Sequence, residues 1–246
     1  MTTNKQTNKQ TNKQTNKIGL TNNQLKIIAI ITMVIDHVGV ALFPYEQTLR
    51  IIGRISLPIF AFMIAEGCRY TKNRTKHLLV ISSMAIVFQL FYLIFMSDLY
   101  QGILVTFSLS IGIIYALDSF IKNPSLKNRL LMAFAILIIL FIGIACPEIF
   151  GKYGFAIDYG AWGLFLPVII YFAPGKWFKL AAASLLIVGM SIFSSPLQWW
   201  ALMAIPLLAL YNGERGKHKM KYFFYIFYPL HLVIIYLIAI LMAIFQ

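Results

Sequence analysis

The sequence predicts an all-α, polytopic transmembrane helical bundle of about nine spans, with its N-terminus inside and its C-terminus outside. Composition, block length and loop charge carry that prediction. Of 246 residues, 60% are hydrophobic and 12% are charged, with a mean hydropathy of +0.78; a soluble domain runs at about half apolar and a quarter charged. The apolar residues fall into blocks close to the roughly 20 residues of helix needed to cross a bilayer core of ~30 Å. Runs such as 78–96 and 130–146 are apolar all round, without the strict alternation of a membrane barrel.

Residues 3–17 repeat Thr-Asn-Lys-Gln three times and begin a fourth copy. A polar tract of this kind has nothing to bury, so the tail over 1–20 is expected to be disordered. The first apolar block lacks a small-residue cleavage pattern and carries Asp36 and His37, which argues against a secretory leader. Residues 21–246 then form a single transmembrane domain. Spans are expected over 25–43, 50–68, 77–96, 102–121, 129–146, 156–173, 179–195, 197–211 and 222–245, the seventh and eighth having the least distinct limits.

Basic residues alternate with each crossing. The tail holds Lys5, Lys9, Lys13 and Lys17; the second connection holds Arg69, Lys72, Arg74 and Lys76; the fourth holds Lys122, Lys127 and Arg129. The sixth has Lys176 and Lys179, and the eighth has Arg215, Lys217, Lys219 and Lys221. The intervening connections offer Arg50 beside Glu46, then Asp98, then Lys152 beside Glu148, and no basic residue after Ser195. Cytoplasmic loops collect Lys and Arg, so this pattern gives nine spans and the N-in orientation; an even number would misplace a basic loop. The net charge of +13 is therefore a topology signal, and no nucleic-acid partner is expected. Cys68 and Cys146 fall at opposite faces, beyond disulfide reach. Tyr45, Arg50, Trp177, Trp199 and Tyr222 read as interfacial anchors.

Ionisable groups within the spans are the functional signal, because each costs about 2.5–3.5 kcal/mol at the bilayer centre unless compensated. Lys26 and His37, eleven residues apart, share one helix face with a rise of roughly 16 Å between them. Arg54 lies at the depth of Asp36 and His37, so a helical hairpin can set its guanidinium against Asp36 while the imidazole is oriented by its neighbours. His231 reaches similar depth on the last span, just after Pro229. Glu66 and Asp118 lie near cytoplasmic ends, Asp158 near an outer end and Gln89 near the centre of the third span. Interfacial snorkelling or neighbour pairing competes with a cavity role for Glu66, Asp118 and Lys26. The histidines are too scattered for a metal cluster, and no zinc signature, phosphate loop or serine elbow is present, so no metal is expected.

The segment Leu25-Lys-Ile-Ile-Ala-Ile-Ile-Thr-Met-Val-Ile-Asp-His-Val-Gly39 resembles the opening helix of the TraX family. Arg50-Ile-Ile-Gly-Arg-Ile-Ser-Leu-Pro-Ile-Phe-Ala-Phe62 with Glu66-Gly67 resembles its second helix, and Asp158-Tyr-Gly-Ala-Trp-Gly163 its sixth. Tyr211-Asn-Gly-Glu-Arg-Gly216 and Phe224-Tyr-Ile-Phe-Tyr-Pro-Leu-His-Leu232 resemble its C-terminal signature. The resemblance covers the chain from residue 21 onward.

That resemblance implies a membrane-bound acyltransferase of the bacterial cytoplasmic membrane. The founding member of the family is associated with N-terminal acetylation of a conjugative pilin. The family is similar to transmembrane acyltransferases that use cytoplasmic acyl-CoA, whose first helix opens on an Arg-x10-His pattern. Here Lys26 stands where those proteins have Arg, which keeps the charge and loses the bidentate fork. The implied roles are His37 as general base, Asp36 orienting it, and Arg54 stabilising charge or tethering Asp36. Lys26 and Arg69 would receive the phosphates of acetyl-CoA or another acyl-CoA. Glu66, Asp158, Tyr159, Tyr228 and His231 form a further set of substrate-binding candidates. The implied partners are membrane lipid, the acyl-CoA donor, and an acceptor peptide, amine or glycan. Two other classes compete: a small-molecule transporter gated near Pro58, Pro167, Pro206 or Pro229 and using the buried His, Asp and Arg, and an inert assembly scaffold.

Overall fold

The computed structural model describes residues 18–96, 99–216 and 221–245. The repeat tail over 1–17, Asp98, and Lys217 and Lys219 of the last basic connection lie outside the described residues. Among the described residues the protein is all-α, without a β-strand. Helix α1 runs over Asn22–Ala41, α2 over Gln47–Gly53, α3 over Ser56–Tyr70, α4 over Arg74–Met96 and α5 over Ile103–Lys122. Next come α6 (Leu126–Leu140), α7 (Cys146–Phe150), α8 (Gly160–Phe172), α9 (Gly175–Phe193), α10 (Ala204–Ala209) and α11 (Lys221–Phe245).

Among the described residues, seven stretches are long and apolar enough to cross a membrane: Asn22–Ala41, Gln47–Tyr70, Arg74–Ile94, Ile103–Lys122, Leu126–Tyr153, Gly175–Phe193 and Ile226–Phe245. The segments expected as the sixth and eighth spans are shorter, at Gly160–Phe172 and Pro196–Ala209. The second of these opens with 3-10 turns over Pro196–Met203, which rise about 2.0 Å per residue and so stretch a short segment further than an α-helix would.

Local chemistry explains the irregularities. Pro58 cannot donate to the Arg54 carbonyl four residues earlier, and the chain between α2 and α3 is a turn at Arg54 and Ile55. Likewise Pro147 removes the donor to Gly143, and a π-helical turn over Phe141–Ala145 separates α6 from α7. The start of α1 is fixed by a capping box between Thr21 and Gln24. Leu20, assigned by its sequence to the tail, is already part of the fold: its N–H donates to the Leu210 carbonyl at 2.8 Å and its own carbonyl accepts from Asn212.

The core lies where α3 meets α1, α5 and α8, with α9 and α10 behind. Leu25, Ala29, Ile59, Phe62, Ile111, Ile114, Leu166, Ile170 and Ile187 are fully or almost fully buried there. Small polar side chains tie helices together as they do in lipid: Ser110 on α5 donates to the Leu164 carbonyl at 2.7 Å, and Thr106 donates to the Asp158 carbonyl at 3.0 Å. By contrast α6 has no buried residue, and the apolar faces of α4, α6 and α11 are broadly exposed, as a lipid-facing periphery requires. Cys68 and Cys146 are buried free thiols.

Candidate functional site

Three polar layers stack along the inside of the bundle. The first is a cavity of about 660 Å³ walled by α1, α3, α4, α5, α11 and the 211–215 turn. One end carries Lys26, His77 and Arg215, while Met33, Phe60, Phe107, Phe227 and Tyr228 give the wall its apolar part. Glu66 also faces the cavity, and Lys179 on α9 holds it in a buried ion pair at 2.5 Å.

The second layer is a histidine pair. Met33, on the cavity wall, lies one turn before His37 on α1; Phe227 and Tyr228, also on the wall, are in ring contact with His231. The imidazoles of His37 and His231 stack with centroids 5.1 Å apart, and His37 Nδ1 lies 2.9 Å from His231 Nε2. His231 Nδ1 lies 3.0 Å from the Phe227 carbonyl. A carbonyl only accepts, so His231 Nδ1 carries the proton and its Nε2 is the acceptor for the proton on His37 Nδ1. That chain leaves the lone pair of the neutral His37 ring on Nε2, the arrangement a general base needs.

The third layer is a charge clamp. Arg54 Nη2 donates to Asp36 Oδ1 at 2.5 Å, and Arg50 Nη1 donates to Asp36 Oδ2 at 3.0 Å. Arg54 also bonds the Arg50 carbonyl through Nε and the Tyr159 hydroxyl through Nη1. Tyr159 adopts a left-handed φ of 57°, rare for a bulky residue. The neighbouring Asp158 accepts from the Tyr100 hydroxyl at 2.6 Å. Gly53 makes the clamp possible, because a Cβ there would lie 2.2 Å from Asp36 Oδ1.

The ion pair expected between Arg54 and Asp36 is therefore present, but several other expectations change. Asp36 does not orient His37: consecutive helical residues point about 100° apart, and both carboxylate oxygens are held by arginines. His231 takes that orienting position. Arg50, read as an interfacial anchor, is the second arm of the clamp; its spacing of four from Arg54 puts both on one helix face, a signal available in the sequence. Arg69 does not line the cavity. It donates to the Tyr171 carbonyl at the end of α8, where a cation complements unpaired carbonyls. Asp158 and Tyr159 belong to the clamp layer, away from the cavity. Asp118 is paired with Arg74 and Lys122, and Gln89 bonds the Tyr100 carbonyl. Sequence reasoning missed His77, whose Nδ1 lies 2.7 Å from the Tyr115 hydroxyl, and Arg215. No group of three or more potential metal ligands occurs among the described residues.

These layers define an all-helical membrane protein with a partly buried histidine pair between a basic-mouthed cavity and a charge clamp. The chain belongs to the TraX family: the family model described as TraX protein matches residues 21–239. The chain is 25% identical over 241 residues to a protein of Dichelobacter nodosus named probable fimbrial assembly protein FimC, serogroup H1, a match covering 86% of this chain and 93% of the relative. It is also 45% identical over 58 residues to an uncharacterized protein of Rickettsia prowazekii (strain Madrid E), covering 23% of each. No solved structure matches.

Proposed function

We propose that this protein is an acyltransferase of the bacterial cytoplasmic membrane that moves an acetyl group from acetyl-CoA to an amine, such as the N-terminus of a pilin-like protein, or to another cell-surface acceptor. The observation that carries this reading is the hydrogen-bond chain from the Phe227 carbonyl through His231 to His37, which leaves the free lone pair of the neutral His37 ring on Nε2. The cavity mouth faces the cytoplasm in the N-in topology that the basic loops favour. From Lys26 at that mouth to His37 the helix rises roughly 16 Å, a distance that an extended pantetheine arm covers. Similarity to a probable fimbrial assembly protein supports a role in pilus or fimbrial assembly.

In the reaction, His37 Nε2 takes a proton from the acceptor amine as its nitrogen bonds the acyl carbon. The same proton passes to the thiolate sulfur as the C–S bond breaks, so free thiol leaves and His37 returns to its neutral state. General-base assistance of this kind contributes about 10²–10⁴-fold. His231 fixes the ring, and the clamp of Asp36 with Arg50 and Arg54 ties α1 to α2 beside it.

Purified protein in lipid nanodiscs, supplied with acetyl-labelled acetyl-CoA and a peptide with a free N-terminus, tests the reading by mass spectrometry. The peptide gains one acetyl group with the wild type and none with His37→Ala. Equal gain with both proteins overturns the role of His37. Flux of a small molecule in proteoliposomes without any acyl transfer replaces the enzyme with a transporter.

A further inference from the structure

Glu66 and Tyr70 lie four residues apart on α3, which sets them on one helix face about 6 Å apart along the axis, and both line the cavity. Tyr70 ends the helix at the mouth, and Glu66 lies one turn further in. Glu66 is 4% exposed, and its Oε1 accepts from Lys179 at 2.5 Å. Among the described residues no group donates to its Oε2. That oxygen is not sealed in protein either, because Gln198 Oε1 is the one fully enclosed side-chain polar atom without a partner among the described residues. Glu66 Oε2 therefore opens on the cavity with its lone pairs unused. Tyr70 is 70% exposed and makes no hydrogen bond or ring contact among the described residues. By contrast Tyr211, on the same wall, is buried with its ring edge-on to Phe62.

A ligand that uses both groups has a flat face for the phenol ring and, on its edge, an N–H donor for the carboxylate. Lys179 already neutralises Glu66, so a neutral donor satisfies Oε2 and no second cation is needed. Only one oxygen is open, which matches a single exocyclic amine; the paired donors on the edge of guanine call for both. We propose that Tyr70 and Glu66 form a subsite for the adenine base of the donor, Tyr70 stacking on its face and Glu66 Oε2 accepting from its amine. The proposal rests on the acyl-transfer reading and adds a base-selecting element at the mouth, from which the donor's arm continues inward.

Calorimetry on the full-length protein in nanodiscs tests it, with coenzyme A, its deaminated analogue carrying hypoxanthine, and pantetheine, which lacks the nucleotide. The wild type should bind coenzyme A on the order of tenfold more tightly than the analogue, as one hydrogen bond to a charged group implies. Tyr70 is exposed, so its truncation leaves the core intact. Tyr70→Ala should weaken coenzyme A on the order of tenfold through lost stacking, Tyr70→Phe should bind it as the wild type does, and pantetheine binding should be unchanged in both. The double change Glu66→Leu with Lys179→Met removes the acceptor without stranding a charge and should bind coenzyme A and the analogue equally. Equal binding of the two bases by the wild type overturns the subsite, as does a double variant that keeps the preference for the amine. Wild-type affinity for coenzyme A in Tyr70→Ala overturns it, and so does an equal loss for pantetheine in that variant, or a wild type that binds no coenzyme A. The acyl-transfer reading stands or falls separately: acetyl transfer by a protein indifferent to the base leaves it standing, and base-selective binding without acetyl transfer supports the subsite and removes the enzyme.

Discussion

Replacing Gly53 by alanine should disrupt the charge clamp without touching any charged residue. The added Cβ would lie 2.2 Å from Asp36 Oδ1 and 2.3 Å from Asp36 Cβ, where ordinary contacts begin at 3.4 Å. Relief requires Asp36 and Gly53 to separate by more than an ångström, and Oδ1 is the oxygen that Arg54 holds at 2.5 Å. The Arg54 and Asp36 side chains are only 5% and 12% exposed, so a broken pair stays out of water. Breaking a buried pair costs about 3–5 kcal/mol. At ~2–4 °C per kcal/mol for a chain of this size, melting should fall by roughly 6–20 °C. Gly112→Ala is the control, since a Cβ there meets nothing within 4 Å and alanine is the better helix former. Thermal unfolding of both variants in nanodiscs is the assay. If Gly53→Ala melts no lower than Gly112→Ala, the close approach of α1 to α2 is wrong.

Other consequences are accessible by the same means. Glu66→Gln strands the buried Lys179 ammonium and should cost about 3–5 kcal/mol in thermal unfolding, whereas the double change Glu66→Leu with Lys179→Met should recover most of it. Arg69→Ala removes a bond to the Tyr171 carbonyl and should cost about 1 kcal/mol while leaving KM for acetyl-CoA at its wild-type value, unlike Lys26→Ala. For the topology, cysteine placed at Tyr45 should react with an impermeant maleimide in intact cells, and cysteine placed at Lys127 only after permeabilisation; the reverse pattern would invert the orientation.

The sequence made the helical elements legible because block length is set by bilayer thickness, and it located the clamp because Asp36 and Arg54 share a depth on adjacent helices. Pairing between distant helices was another matter. His37 and His231 are 194 positions apart, and nothing in a hydrophobic pattern says which faces of the first and last spans meet. Asp36 beside His37 suggested a dyad, yet helical geometry turns adjacent side chains away from each other, and the clamp claims the carboxylate. Arg69 was misplaced because a basic loop residue reports the side of the membrane, not the direction of its side chain. Arg215 was hidden for the opposite reason: its position depends on positive φ at Gly213 and Gly216, which residue type alone only permits.

The pairing of His37 with His231 is the centre of the account, and a double-mutant cycle on acetyl transfer tests it most directly. His37→Ala and His231→Ala should each lower the rate by about 10²–10⁴-fold, and the double variant should be no slower than His37→Ala, because a ring that orients an absent base has nothing left to contribute. Losses that multiply in the double variant, or a His37→Ala protein that transfers acetyl at the wild-type rate, would contradict it.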